Sequence, residues 1–158
     1  MLPCRGYKKL VVLTDTLTRW TEAFLTRMDK STEVAKNILK EIIPWFGLPC
    51  SLQSENRSSF ISKTIQLISE PVGIKYYLLS TWIPQTSGKV EWTNQTLKRA
   101  LAKLCQETSE NWVKLLPIAL RRTRGSPKVN PRLSPFEMLY GRPLLTLDLI
   151  FDRDPSRS

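Results

Sequence analysis

Histidine is absent from this chain, and cysteine occurs only as Cys4, Cys50 and Cys105. Without an imidazole there is no His-containing zinc site, no His general base and no Ser-His triad anywhere in the 158 residues. The three cysteines share no metal-ligand spacing and leave one over in any pairing, so the reading is reduced thiols in a nuclear or cytoplasmic setting. Also lacking is any apolar run of membrane-spanning length, and Met1-Leu2-Pro3-Cys4 does not have the form of a signal peptide. The expectation is a protein that is neither secreted nor bound to a membrane. Acids are scarce too: 24 Lys and Arg face 14 Asp and Glu, for a net charge of +10.

What is present is ordinary globular usage, 41% hydrophobic and 24% charged, in a length suited to one domain with a real core. The positive charge is concentrated. Between residues 98 and 132, nine basic residues (Lys98, Arg99, Lys103, Lys114, Arg121, Arg122, Arg124, Lys128 and Arg132) stand against Glu107 and Glu110 alone. That density favours a polyanion, held by phosphate contacts and counterion release. The alternative is a solvated basic surface with no partner, and basicity does not separate DNA from RNA or an acidic protein.

Periodicity predicts an alternation of strands and helices. Residues 7–15 form a β-branched and aliphatic run that reads as a buried strand, and residues 20–26 read as its antiparallel neighbour. A helix capped by Ser31 or Thr32 carries Val34, Ala35, Ile38, Leu39, Ile42 and Ile43 at helical spacing, with Pro44 and Gly47 ending it. Residues 50–54 read as a short strand, residues 58–72 as a helix closed by Gly73, and residues 75–80 as another strand. A long helix is predicted over 88–107, its core stripe made by Val90, Leu97, Leu101, Leu104 and Cys105. Asn111 or Ser109 caps the next helix. Ser134-Pro135-Phe136-Glu137 has the form of a capping box with Pro at the first helical position, and Gly141 suits the stop. This is an α/β layer pattern.

Two carboxylates stand out, Glu55 and Glu91, with 35 residues between them. Glu55 lies in Leu52-Gln53-Ser54-Glu55-Asn56-Arg57, at a strand end. Glu91 lies in Pro84-Gln85-Thr86-Ser87-Gly88-Lys89-Val90-Glu91-Trp92-Thr93-Asn94, a turn leading into the long helix. Carboxylates presented from a strand end and a helix start suit a shared divalent metal. On the helix, Glu91, Gln95 and Lys98 are spaced to share one polar face, with Asn94 alongside. The plain alternative is an exposed face with an ordinary Glu-to-Lys arrangement.

On these motifs the chain resembles the catalytic core of retroviral integrases, nearest the gammaretroviral and endogenous retroviral branch. That family carries an Asp, about 35 residues, then a Glu in Pro-Gln-Ser-x-Gly-x-Val-Glu-Arg-x-Asn. The resemblance extends to Tyr7-Lys8-Lys9-Leu10-Val11-Val12-Leu13-Thr14-Asp15-Thr16 with Trp20 and Glu22-Ala23-Phe24, and to Ile42-Ile43-Pro44-Trp45-Phe46-Gly47-Leu48-Pro49. It continues through the segments at residues 112–120 and 133–141. It implies a ribonuclease-H-like α/β fold, a mixed sheet flanked by helices, and DNA strand transfer with Mg2+ or Mn2+ held by Glu91, Glu55 and an earlier Asp. It implies that the face of Glu91, Asn94, Gln95 and Lys98 meets nucleic acid, DNA above all, with Lys89 close by in sequence; Arg121, Arg122 and Arg124 are nucleic-acid candidates from the basic segment. It also implies a homodimer or pairing with an intact integrase.

The departures fall at the chemistry. Glu55 stands where the family has Asp, Arg57 where it has Gly, Leu79 where it has His, and Trp92 where it has Arg. The family's first Asp lies one strand upstream of the Tyr7 segment and has no counterpart here. Asp15 matches a different acid and reads as a turn residue bonding local backbone amides. Glu is a methylene longer than Asp, a displacement poorly absorbed by a metal that demands near-octahedral geometry at about 2.0–2.1 Å. The expectation is a partial integrase core over residues 1–146, lacking its first, central strand, with a frayed tail over 147–158, and catalytically inactive. A missing central strand would leave two neighbours with unpaired edges, so the expectation is a fold that is marginal alone, or one in which the flanking strands close up or a second molecule supplies a strand. Two other readings stand beside descent without activity: a non-catalytic nucleic-acid-binding or integrase-interaction module, and a retroviral remnant with no function.

Overall fold

The computed structural model describes residues 9–27, 31–55, 59–79, 84–128 and 132–145. Strand β1 (Lys9–Thr14) pairs antiparallel with β2 (Thr21–Thr26), Leu10 opposite Leu25 and Val12 opposite Ala23. The turn between them is built on Asp15. Its carboxylate accepts from the Thr18 amide at 2.8 Å and the Thr18 hydroxyl at 2.6 Å, and its carbonyl accepts from the Arg19 amide at 2.8 Å. Asp15 is thus the turn acid the sequence indicated. Arg19 takes φ of 60°, the left-handed conformation that closes the turn.

The uninterrupted apolar run of β1 has a structural cause. Alternate residues leave a strand on opposite faces, and both faces of β1 are covered. Leu10 and Val12, with Ala23 and Leu25 of β2, pack on a core of Leu97, Leu101, Leu104, Trp112, Leu115, Leu116, Ala119 and Leu120. Val11 and Leu13 pack on a second core of Ala35, Ile38, Ile68 and Ile74, which also takes Leu52.

The second core rests on α1 (Ser31–Asn37), a π-helical turn (Ile38–Ile42) and α2 (Ile43–Phe46), which run on without a break. Pro44 therefore does not end this helix, contrary to the sequence expectation. It sits in the first turn of α2, directly after the π turn, so the irregular turn falls where Pro44 lacks an amide proton to donate back along the helix. Gly47, at φ of 76°, makes the stop by donating to the Ile43 carbonyl. Leu39 follows the helical spacing yet is exposed.

Strand β3 (Ser51–Glu55) and β4 (Lys75–Leu79) are parallel, with α3 (Ser59–Val72) as the crossover between them. Leu67 lies on the outer side of α3. The antiparallel and parallel pairings that a mixed sheet combines occur here in two separate two-stranded sheets. Among the described residues β1 and β3 do not pair, so the expected closing-up of the flanking strands does not happen, although both strands feed the second core.

The first core is the pairing of α4 (Pro84–Thr108) with α5 (Trp112–Gly125). Helix α4 begins four residues before the predicted start, because Pro84 is well placed to open a helix and the Gln-Thr-Ser after it forms the first turn. Asn111 caps α5 by accepting from the Lys114 amide. The capping box at Ser134 is formed in both directions and opens α6 (Pro135–Tyr140), and Gly141 ends it at φ of 70°. The tail at 147–158, and residues 7, 8, 56–58 and 80 of the predicted motifs, lie outside the described residues. No helix among the described residues is long and apolar enough to cross a membrane.

Candidate metal and nucleic-acid site

Helix α4 carries most of the site residues that the sequence suggested. Its inner face is fixed by Leu97, Leu101 and Leu104, and by Thr93, which is buried in the same stripe with its hydroxyl donating to the Lys89 carbonyl at 2.9 Å. Sequence patterning passed over Thr93 because it is polar; back-bonding to the preceding turn is what lets it sit in a core. With the inner face so anchored, Glu91, Gln95 and Lys98 are presented together on the outside, and all three are exposed, as is Lys89. Asn94 lies at the margin between core and surface. Its Oδ1 is buried and accepts no hydrogen bond.

Glu55 is the last residue of β3, opposite Leu79 at the end of β4. Residues 80–83 join Leu79 to Pro84, so α4 starts within about 18 Å of the ends of the parallel strands. The backbone of Glu55 and the start of α4 thus lie toward the carboxyl ends of β3 and β4, where ligands of open α/β sheets commonly bind. The side chain of Glu55 lies outside the described residues. Mg2+ or Mn2+ needs several oxygen ligands in tight geometry. Among the described residues no group of three or more His, Cys, Asp or Glu side chains comes together.

The basic residues of α5 divide. Arg121 and Arg122 are exposed, Arg121 donating one bond to the Leu145 carbonyl at 2.8 Å. Arg124 is turned inward. Its guanidinium donates to the Thr21 carbonyl at 3.0 and 2.7 Å and to the Glu22 carboxylate at 2.8 Å, and lies 4.3 Å from the centre of the Trp20 ring. Glu22 in turn accepts from the Trp20 indole at 2.9 Å. Trp20 also meets Phe46, Phe136 and Tyr140, so Arg124 ties α5 to β2 and to an aromatic cluster. Its Nε and Nη2 donors are thus engaged within the fold.

One charged residue is placed where sequence reasoning did not look. Lys128 is 5% exposed, its Nζ donates no hydrogen bond, and that nitrogen lies 4.3 Å from the centre of the Trp92 ring. Burial, and secondarily the positive charge of Arg19, holds the Lys128 ammonium below the ordinary lysine range. The sequence flags Trp92 only as a departure beside Glu91, and nothing local links it to a lysine in a later loop.

No family model matches the chain. It is 45% identical over 136 residues to the Gag-Pol polyprotein of avian reticuloendotheliosis virus, covering 86% of this chain and 12% of that protein. It is 43% identical over 154 residues to the Gag-Pol polyprotein of baboon endogenous virus (strain M7), covering 97% of this chain and 9% of that protein. Against the Pol polyprotein of feline endogenous virus ECE1 it is 42% identical over 152 residues, covering 96% of this chain and 14% of that protein. The chain thus spans a small fraction of these relatives. Among solved structures, the catalytic core domain of BIV integrase matches with a TM-score of 0.66 and 26% identity, over 82% of this chain and 83% of that one. The HTLV-2 integrase catalytic core domain in complex with magnesium, a trimeric form, gives 0.64 and 21% over 82% of each chain. A simian T-cell lymphotropic virus intasome in complex with a PP2A regulatory subunit gives 0.70 and 22%, over 87% of this chain and 50% of that one.

Proposed function

For this chain, a homologue of retroviral Pol polyproteins with the fold of an integrase catalytic core, we propose nucleic-acid binding without strand transfer. The observation that carries this reading is the exposed row Glu91, Gln95 and Lys98 on α4, with Lys89 beside it and Arg121 and Arg122 exposed on α5. Two basic surfaces on adjoining helices give a polyanion several phosphate contacts at once. DNA is the polyanion the relatives suggest, and a nuclear or cytoplasmic setting goes with it. Arg124 is not part of the proposed surface, since Thr21 and Glu22 occupy it.

Inactivity is proposed on the chemistry of the two carboxylates. Glu91 is the one of the expected type and place. Glu55 is a methylene longer than the Asp it replaces, which sets its oxygens out of position for an ion that tolerates little displacement. An assay joining DNA ends in Mg2+ or Mn2+ is expected to give no product while the same protein binds the DNA. Reproducible metal-dependent joining that Glu91→Gln abolishes would contradict this. Self-association belongs to the same reading, because one structural neighbour is a trimeric form and another an intasome. Sedimentation at several concentrations tests it, and a strictly monomeric chain would remove it.

A further inference from the structure

The buried Lys128 ammonium under the Trp92 ring is the least expected feature of the molecule. Trp92 is a 46% exposed residue even with the Lys128 ammonium over its ring. A side chain exposed to that extent keeps aromatic surface open to a ligand. The Lys128 backbone is itself tied down, its amide donating to the Leu133 carbonyl at 3.3 Å. An exposed tryptophan held from below by a fixed cation has lost its rotational freedom in advance, so a flat ligand stacking on it has less ordering to overcome.

The surroundings of the ring limit what that ligand is. On α4, Lys89 precedes Trp92 by three residues and Arg99 follows it by seven, so both share its side of the helix; both are exposed. Gln95, also exposed, belongs to this strip and to the Glu91 face at once. The strip is basic at each end, aromatic in the middle and free of acid. Lys89 and Arg99 lie about 15 Å apart along the axis. A flat group flanked by negative charges matches it; an apolar protein helix lacks the charge, and a run of Asp and Glu lacks the flat group.

We infer that Trp92 is a stacking platform for an unpaired base of a single-stranded nucleic acid, with Lys89 and Arg99 receiving the flanking phosphates. The inference rests on the nucleic-acid-binding reading above and adds a preference within it. In a duplex each base is already stacked on its neighbours, so only an unpaired base has a face to give to Trp92. A purely structural role for the pair, locking the loop after α5 onto α4, predicts no such preference.

The test compares wild type, Trp92→Leu and Trp92→Phe for binding a single-stranded DNA oligonucleotide and the duplex of the same sequence, by fluorescence anisotropy at one salt concentration. Leucine fills the site without a π face, and phenylalanine restores one. Trp92→Leu is expected to weaken single-strand binding by about 5- to 150-fold, to change duplex binding less than twofold, and to be largely rescued by Trp92→Phe. An equal change on both DNAs, no change on either, or a phenylalanine variant as weak as the leucine one overturns the inference while leaving the binding reading in place. A wild-type chain that binds neither oligonucleotide overturns both.

Discussion

Arg124 and Lys128 come from one basic segment and end in opposite circumstances. Nε and Nη2 of Arg124 both have acceptors, and the planar fork is what allows Thr21 and Glu22 to be held together. Arg124→Ala leaves a half-buried carboxylate and a carbonyl without their donor, and is expected to cost about 2 kcal/mol in a urea melt. Arg124→Lys should recover little of this, since an ammonium cannot make the paired contacts. Lys128 has no acceptor, and burial lowers its affinity for a proton. In the interval between its lowered folded value and the ordinary lysine value, the unfolded chain binds more protons than the folded one. The contribution of Lys128 to stability is therefore complete above the ordinary value and is lost as pH falls through the lowered one. Melts of wild type and Lys128→Met, taken from neutral into alkaline pH, should differ by a rise in stability that only the wild type displays. A parallel pH course for the two proteins would contradict the assignment.

At the scale of elements, the parts legible in the sequence are those whose cause is local. Ser134 and Glu137 are three residues apart and cap each other in the structure as their spacing predicts, so Ser134→Ala should cost about 1 kcal/mol by thermal melt. The Asp15 turn, the Asn111 cap and the Leu97–Leu101–Leu104 stripe were likewise readable from a few neighbouring positions. The misreadings have the opposite character. Pro44 reads as a stop, and only the π turn before it makes room for the chain to continue. Leu39 fits a helical stripe, yet which side of a helix meets a partner is settled by the partner. The ties from Arg124 to Glu22 and from Lys128 to Trp92 join residues far apart in sequence, and no periodicity announces such pairs. Of the candidate site, the Glu91–Gln95–Lys98 face followed from helical spacing alone, whereas the inward turn of Arg124 required the fold.

For the molecule as a whole, β1 is the joint between two cores. Leu10 and Val12 serve one, Val11 and Leu13 the other, so damage to either core is felt through a shared strand. Leu101, 0% exposed at the centre of the α4–α5 core, is a direct probe: Leu101→Ala should cost about 2–5 kcal/mol. If the joint couples the cores, the variant should also loosen hydrogen-exchange protection at Ile68 and Ile74 in the other one. Loss confined to α4 and α5 would mean that the two cores melt separately.

The basic outer surface of this scaffold is what the proposed function depends on. The most direct test is the affinity of the wild-type chain and of the Arg121→Ala, Arg122→Ala double variant for one duplex DNA, followed from about 50 to 200 mM salt. Wild type is expected to weaken steeply across that range, and the double variant to bind more weakly with a shallower slope, by about one unit for each phosphate contact removed. Identical affinities and slopes for the two proteins would contradict a phosphate-binding surface on α5.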